Sequence, residues 1–208
     1  MPSVMTTHHM TVSTVGRLSL TRNEAERRVL LRAFVAVGRG RLIAFSLVDD
    51  HAHAVISAER PNLVARDLRR TIARVRPDLE LDVPHLKWVD SRRYLTWLLS
   101  YLVSQPVKHG LAGHPALWTG SCFQDLVGAR LLSGFSTALL REALPRFRAR
   151  TLYRRVGLVQ VDLRPACDQS LRRAGPARLA ALATGVYGVG PEMLGRTQDL
   201  TAARALAA

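Results

Sequence analysis

Apolar and polar positions along this chain keep two different periods. From His8 to Gly16 they alternate with the two-residue period of a strand. Thr21 to Val37 changes to helical spacing, with Thr21 as a plausible N-cap and Glu24, three residues on, completing a capping box. Gly38-Arg39-Gly40 reads as a turn, and Arg41 to Val48 as the next strand. The acidic pair Asp49-Asp50 then turns the chain into a hairpin with a strand over His51 to Ile56. Pro61 to Val75 is a basic amphipathic helix carrying Arg66, Arg69, Arg70 and Arg74, and Leu79 to Val89 supplies a short strand. Next, Leu95, Leu98, Leu99 and Leu102 fall at i, i+3, i+4 and i+7 and make one apolar helical face. Pro106 disfavours helical geometry at Gln105, so this helix is expected to end or kink there.

Strand, helix, hairpin, helix, strand predicts an α+β fold, a ferredoxin-like antiparallel sheet with helices packed on it. Past Gly110 the content changes. Leu131 to Leu144 is apolar and helical, Pro145 interrupts it, and Arg146 to Arg155 is intensely basic with interleaved aromatics. The chain therefore divides into a domain over 1–130, a basic helical connector over 131–164 and a small all-helical tail over 165–208. The tail reads as two short helices around Gly188-Val189-Gly190-Pro191.

Two stretches carry candidate chemistry. In a strand, His51, His53 and Val55 share one face, and two imidazoles side by side can hold one metal ion. Taken alone, such a pair is more often two solvated or packed histidines than two ligands. Tyr101 and Gln105 lie one helical turn apart on the flank of the leucine stripe, so both can point at one spot; a packed tyrosine and a capping glutamine are the plainer readings. His8 and His9 read as the frayed polar start of the first strand.

With 208 residues, 48% of them hydrophobic, the chain can bury a core. Its formal net charge of +14 points to a polyanionic partner, with nucleic acid foremost. Only Lys87 and Lys108 are lysines; the remaining basic charge is arginine, which suits phosphate contacts through its planar fork. A GC-rich genome would explain arginine over lysine but not the excess of base over acid. Cys122 and Cys167 form no Cys-x-x-Cys pair, so neither a zinc site nor a disulfide framework is indicated and a reducing cytoplasm fits. No signal-peptide pattern opens the chain, and no apolar run approaches the roughly 18 residues of a membrane span, so a soluble intracellular protein is expected.

In order, the histidine pair, Tyr94 and Tyr101, and Gln105-Pro106-Val107-Lys108-His109-Gly110 resemble the single-tyrosine HUH transposases, especially relatives associated with repetitive extragenic palindromes. Pro115-Ala116-Leu117-Trp118-Thr119-Gly120-Ser121 is similar to that family's Tyr-Pro-Trp-Ser-Ser segment, and the resemblance covers roughly residues 8 to 130. Two departures stand out. Asp49-Asp50 replaces the usual Pro-Asn before the first histidine, and Leu86-Lys87-Trp88-Val89 stands where a Trp-Gln-Arg-Phe-like strand is common. The tail segments Val186-Tyr187-Gly188-Val189, Leu194-Gly195-Arg196 and Thr201 to Ala207 are similar to the helix-turn-helix of the bacterial replication initiator DnaA.

The resemblance implies a ferredoxin-like sheet with the histidines in its middle and the tyrosine helix over them. It implies Tyr101 as nucleophile, His51, His53 and Gln105 as ligands of Mg²⁺ or Mn²⁺, and a substrate of single-stranded DNA carrying a hairpin or palindrome. The implied product is a 5′-phosphotyrosine with a free 3′-hydroxyl, so strands can be rejoined without ATP. Two neutral imidazoles and a neutral amide would leave the ion's full charge for the phosphodiester. Lys108 and His109 either hold phosphates or are surface charge. Arg66, Arg70, Arg148 and Arg154 are further candidates for DNA contact, as are Arg196, Thr201 and Arg204 if the tail reads duplex DNA. The implied setting is a bacterial cytoplasm, nucleoid-associated when DNA is bound, with monomer or homodimer both open. A catalytically weak descendant that only binds DNA is the alternative reading, and the two departures favour it.

Overall fold

The computed structural model describes residues 5–127, 130, 132–148, 151–152 and 156. Four strands form one antiparallel sheet: β1 (Thr6–Ser13), β2 (Leu42–Leu47), β3 (His51–Ala58) and β4 (His85–Trp88), in the order β2-β3-β1-β4. Helix α1 (Glu24–Val37) joins β1 to β2, α2 (Pro61–Val75) joins β3 to β4, and α3 (Arg92–Lys108) follows β4. Two short helices, α4 (Phe123–Leu126) and α5 (Ala138–Ala143), come after it. This is the expected ferredoxin-like α+β arrangement.

Register sorts the side chains between the faces. Directly paired residues share a face, and Thr11 and Ser46 both pair with His53, while Met10 and Phe45 both pair with Ala54. Met10, Phe45 and their neighbours are fully buried under α1, whose Phe34 ring lies 6.4 Å from that of Phe45. α2 packs beside α1, burying Val64, Leu68 and Ile72. The opposite face carries His9, Thr11, His51 and His53, and α3 covers it. The leucine stripe of α3 is buried as its periodicity requires.

Several expectations shift. β1 starts at Thr6 and ends at Ser13, which puts His8 and His9 inside the central strand and not at a frayed start. The cap of α1 is Asn23 rather than Thr21: its side chain accepts the Glu26 N–H at 2.9 Å, while Glu26 reaches back to the Arg22 N–H at 2.7 Å. The capping box is thus displaced by two residues onto a stronger capping residue. Between Leu79 and Val89 only His85–Trp88 is a strand, because Pro84 has no N–H for the ladder; Leu81 makes an isolated bridge to Thr14.

α3 does not stop at Gln105. It runs on to Lys108, and the Gln105 carbonyl still accepts the His109 N–H at 3.0 Å. Proline in the last turn forfeits a single backbone bond. The stop lies at Gly110, whose φ of +68° lets the Leu111 and Gly110 N–H groups close back on the Pro106 and Val107 carbonyls. The helix expected over Leu131 to Leu144 is confined to Ala138–Ala143, preceded by a turn at Ser133-Gly134 with Gly134 at a φ of +90°. Leu140, Leu144 and Leu152 join the main core. Trp118 anchors the 115–121 segment by donating its indole N–H to the Leu47 carbonyl at 2.8 Å, with the Arg27 guanidinium 4.0 Å above its ring. No helix among the described residues is long and apolar enough to cross a membrane.

Candidate active site

β3 projects His51 and His53 onto the face that α3 covers. Tyr101, Gln105 and His109 follow at four-residue spacing on α3, which aligns them along one side of the helix. At one end the Tyr101 ring lies 5.5 Å from His53, and at the other the His109 ring lies 5.0 Å from His51. Gln105, buried between those contacts, donates its amide to the Tyr101 carbonyl at 3.1 Å. Tyr101, the two strand histidines and His109 are therefore brought together, and Gln105 stands between Tyr101 and His109 along the helix.

The ring nitrogens are held in a defined way. His51 places Nδ1 2.6 Å from the Asp50 carboxylate, an acceptor that keeps the proton on that nitrogen. Burial alone would raise the Asp50 carboxyl, but the hydrogen bond from His51 outweighs it and holds the group below the usual carboxylate range. The Nδ1 of His53 lies 3.1 Å from both His9 Nε2 and Thr11 Oγ1, either of which can accept its proton. The two Nε2 atoms lie 2.9 Å apart, and in the tautomer that protonates both Nδ1 atoms both Nε2 lone pairs are free for a cation.

Burial and neighbouring charge disfavour protonation of His53 and His9. Burial, then the repulsion of His51, His9 and His109, pushes His53 down to about 2. His9 falls to about 4 through burial and the nearby His85 and Lys87. Both are neutral at physiological pH. Two ligands at right angles, each about 2.1 Å from one ion, stand about 3.0 Å apart, so the observed spacing fits adjacent ligands of a hard divalent cation. Among the described residues no three His, Cys, Asp or Glu side chains converge on one point. A third protein donor would come from another residue type.

Other candidates lie elsewhere. Lys108 sits with Nζ 5.0 Å from the centre of the Tyr101 ring. Arg66 and Arg70 are on α2, across the sheet from Tyr101, and both neighbour Asp67. Arg148 is exposed and donates to the Phe147 carbonyl. Arg154, Arg196, Thr201 and Arg204, with the whole tail, lie outside the described residues. Cys122 is buried against the Phe45 N–H, and burial pushes its thiol up to about 12, so it offers no competing thiolate.

Sequence reasoning missed His9, Thr11 and the role of Asp50. The period-two spacing of His9 and Thr11 repeats that of His51 and His53, but only the strand register shows that the two pairs meet.

No family model matches this chain, and no curated protein matches it. Among solved structures it is similar to a REP-associated tyrosine transposase bound to a REP hairpin, with 17% identity and a TM-score of 0.50 over 61% of this chain and 82% of the other. The chain thus shares the fold of that structure.

Proposed function

We propose that this protein is a metal-dependent strand transferase acting on single-stranded DNA at hairpins or palindromes, with Tyr101 as nucleophile. The observation that carries the reading is the meeting of Tyr101 with the His51–His53 pair under one helix, the rings of Tyr101 and His53 being 5.5 Å apart. The net charge of +14 and the hairpin held by the remote structural relative support DNA as the substrate. His51, His53 and Gln105 would hold Mg²⁺ or Mn²⁺, which when bound supplies Lewis-acid stabilisation of the phosphodiester.

The chain's own residues do the rest. Tyr101 Oη gives up its proton and attacks phosphorus, the bond to the 3′-oxygen breaks, and that oxygen leaves to become the 3′-hydroxyl. The phosphotyrosine conserves the broken ester, so a 3′-hydroxyl attacking it releases the tyrosine and rejoins a strand. Packing of α3 on the sheet fixes the attacking ring, and burial of His53 excludes water from one side.

Wild-type protein incubated with labelled hairpin oligonucleotides and Mn²⁺ is expected to yield a covalent adduct that survives denaturing electrophoresis and maps by mass spectrometry to Tyr101. Chelation with EDTA should abolish the adduct and leave binding. Tight, salt-sensitive binding with no adduct on any hairpin would instead support the DNA-binding descendant.

Asp50 adds a second test of the metal reading. Partners of a ligating histidine's remote nitrogen are typically worth about 10- to 100-fold in metal affinity. Asp50→Ala is therefore expected to weaken Mn²⁺ binding by about that factor in an electron paramagnetic resonance titration. Unchanged affinity would show that the Asp50–His51 bond does not serve a metal site.

A further inference from the structure

Tyr94, Trp97 and Tyr101 form a ladder along one side of α3. The Tyr94 and Trp97 rings are 5.7 Å apart and 13° from parallel, and those of Trp97 and Tyr101 are 5.1 Å apart and 17° from parallel. Aromatic rings buried for packing alone usually meet edge to face or offset within a core, yet the middle ring here is 54% exposed. A cleft of about 360 Å³ opens beside it, lined by Trp97, Ser100, Tyr101, Ser104 and Lys108.

The charges at its ends are specific. In a chain whose basic residues are almost all arginine, the two lysines sit at the two ends of this ladder. Lys87 places Nζ 5.1 Å from the Tyr94 ring, and Lys108 places Nζ 5.0 Å from the Tyr101 ring. A guanidinium would lie flat on such rings. An ammonium on a flexible stem can leave a ring and follow a phosphate.

We propose that the ladder is a stacking platform for an unpaired base of the single strand, with the part of the Trp97 indole that its two offset neighbours leave exposed taking the base and Lys87 and Lys108 the flanking phosphates. A base within a duplex has both faces covered, so only an unpaired one can offer a face to the indole. Because Tyr101 is the last rung, the base held on Trp97 adjoins the phosphate under attack. That position rests on the strand-transfer reading; the binding itself does not.

The test is fluorescence anisotropy with a labelled oligothymidine, which forms no hairpin, beside a blunt duplex of equal length, both with EDTA present so that no chemistry intervenes. Trp97→Ala is expected to weaken single-strand binding about 5- to 150-fold, the worth of one base–aromatic stack, while duplex binding changes less than about twofold and Trp97→Phe recovers most of the loss. Lys87→Gln with Lys108→Gln should lower the slope of log affinity against log salt by about 1.4, the release expected for two single-strand phosphates. Trp88, 63% exposed on the adjacent strand but pointing to the other face from Lys87, is the control, and Trp88→Ala should leave binding unchanged. Equal losses on single strand and duplex, no loss on either, or an equal loss in Trp88→Ala would overturn the platform. The two readings separate cleanly: a wild-type adduct that forms equally well in Trp97→Ala at limiting DNA removes only the platform, and Trp97-dependent binding without any wild-type adduct removes only the strand transfer.

Discussion

Tyr101→Phe is expected to abolish the covalent adduct while leaving hairpin affinity within about twofold of wild type. The substitution deletes one hydroxyl. The phenyl ring keeps its stacking on Trp97 and its edge contact with His53, so the helix and the DNA-facing surface stay as they are. An exposed-side change of that kind moves stability by about 0.5 kcal/mol or less. His53→Ala should also abolish the adduct, but for a different reason and at a visible structural cost. His53 is 3% exposed and touches His51, His9 and Thr11, so its removal leaves buried polar atoms without partners. A cost of about 1–3 kcal/mol follows. The pair of variants is informative together: chemistry lost without instability in one, and chemistry and metal binding lost with instability in the other. Adduct formation by Tyr101→Phe at the wild-type level would eliminate Tyr101 as the nucleophile. These outcomes are read from a denaturing gel, a Mn²⁺ titration and a thermal melt on the same preparations.

The largest expected effect on stability is at Phe45. Its ring is fully buried on β2, between Phe34 at 6.4 Å and the edge of Phe135 at 5.2 Å. Phe45→Ala opens a cavity bounded by α1 and by the segment before α5, two elements that meet the sheet from different parts of the chain. Such a truncation costs about 3–5 kcal/mol, a large part of the roughly 5–15 kcal/mol that holds a domain together. Urea unfolding followed by circular dichroism should show the midpoint falling sharply with little change in slope. A cost below about 1.5 kcal/mol would mean that Phe135 collapses into the space. Because Phe45 faces away from the histidines, the folded fraction of this variant should retain its adduct chemistry at low temperature.

The parts of this molecule legible in the sequence were those governed by local rules. Period-two alternation and the Asp49-Asp50 turn located the hairpin, and the basic amphipathic pattern located α2 with both ends in place. The leucine stripe of α3 identified its buried side. Where two local signals competed, the sequence alone did not decide between them. Thr21 and Asn23 both precede an acidic residue at capping distance, and the helix starts from the second. Pro106 and Gly110 both signal the end of α3, and the backbone stops where positive φ is needed. His9 was illegible for a deeper reason. Nothing within a few residues of it differs from an ordinary polar strand start, and its meaning arises only from pairing with β3, whose register is a property of the whole sheet. Asp50 likewise reads as a turn residue until β3 begins one residue later and directs His51 back at it.

The position of β1 between β3 and β4 has a consequence for how the protein comes into being. β1 leaves the ribosome first, yet both of its neighbours are made later, and the helix that closes the site follows after them. His9, His53 and Tyr101 come from three widely separated parts of the chain, so their cluster is built wholly from long-range closures, which are slow and collective. A nascent chain emerging from the ribosome carries the basic α2 helix well before it carries an assembled histidine cluster. The basic surface of α2 is therefore made before the histidine cluster is complete, and the cluster is complete only once α3 has docked.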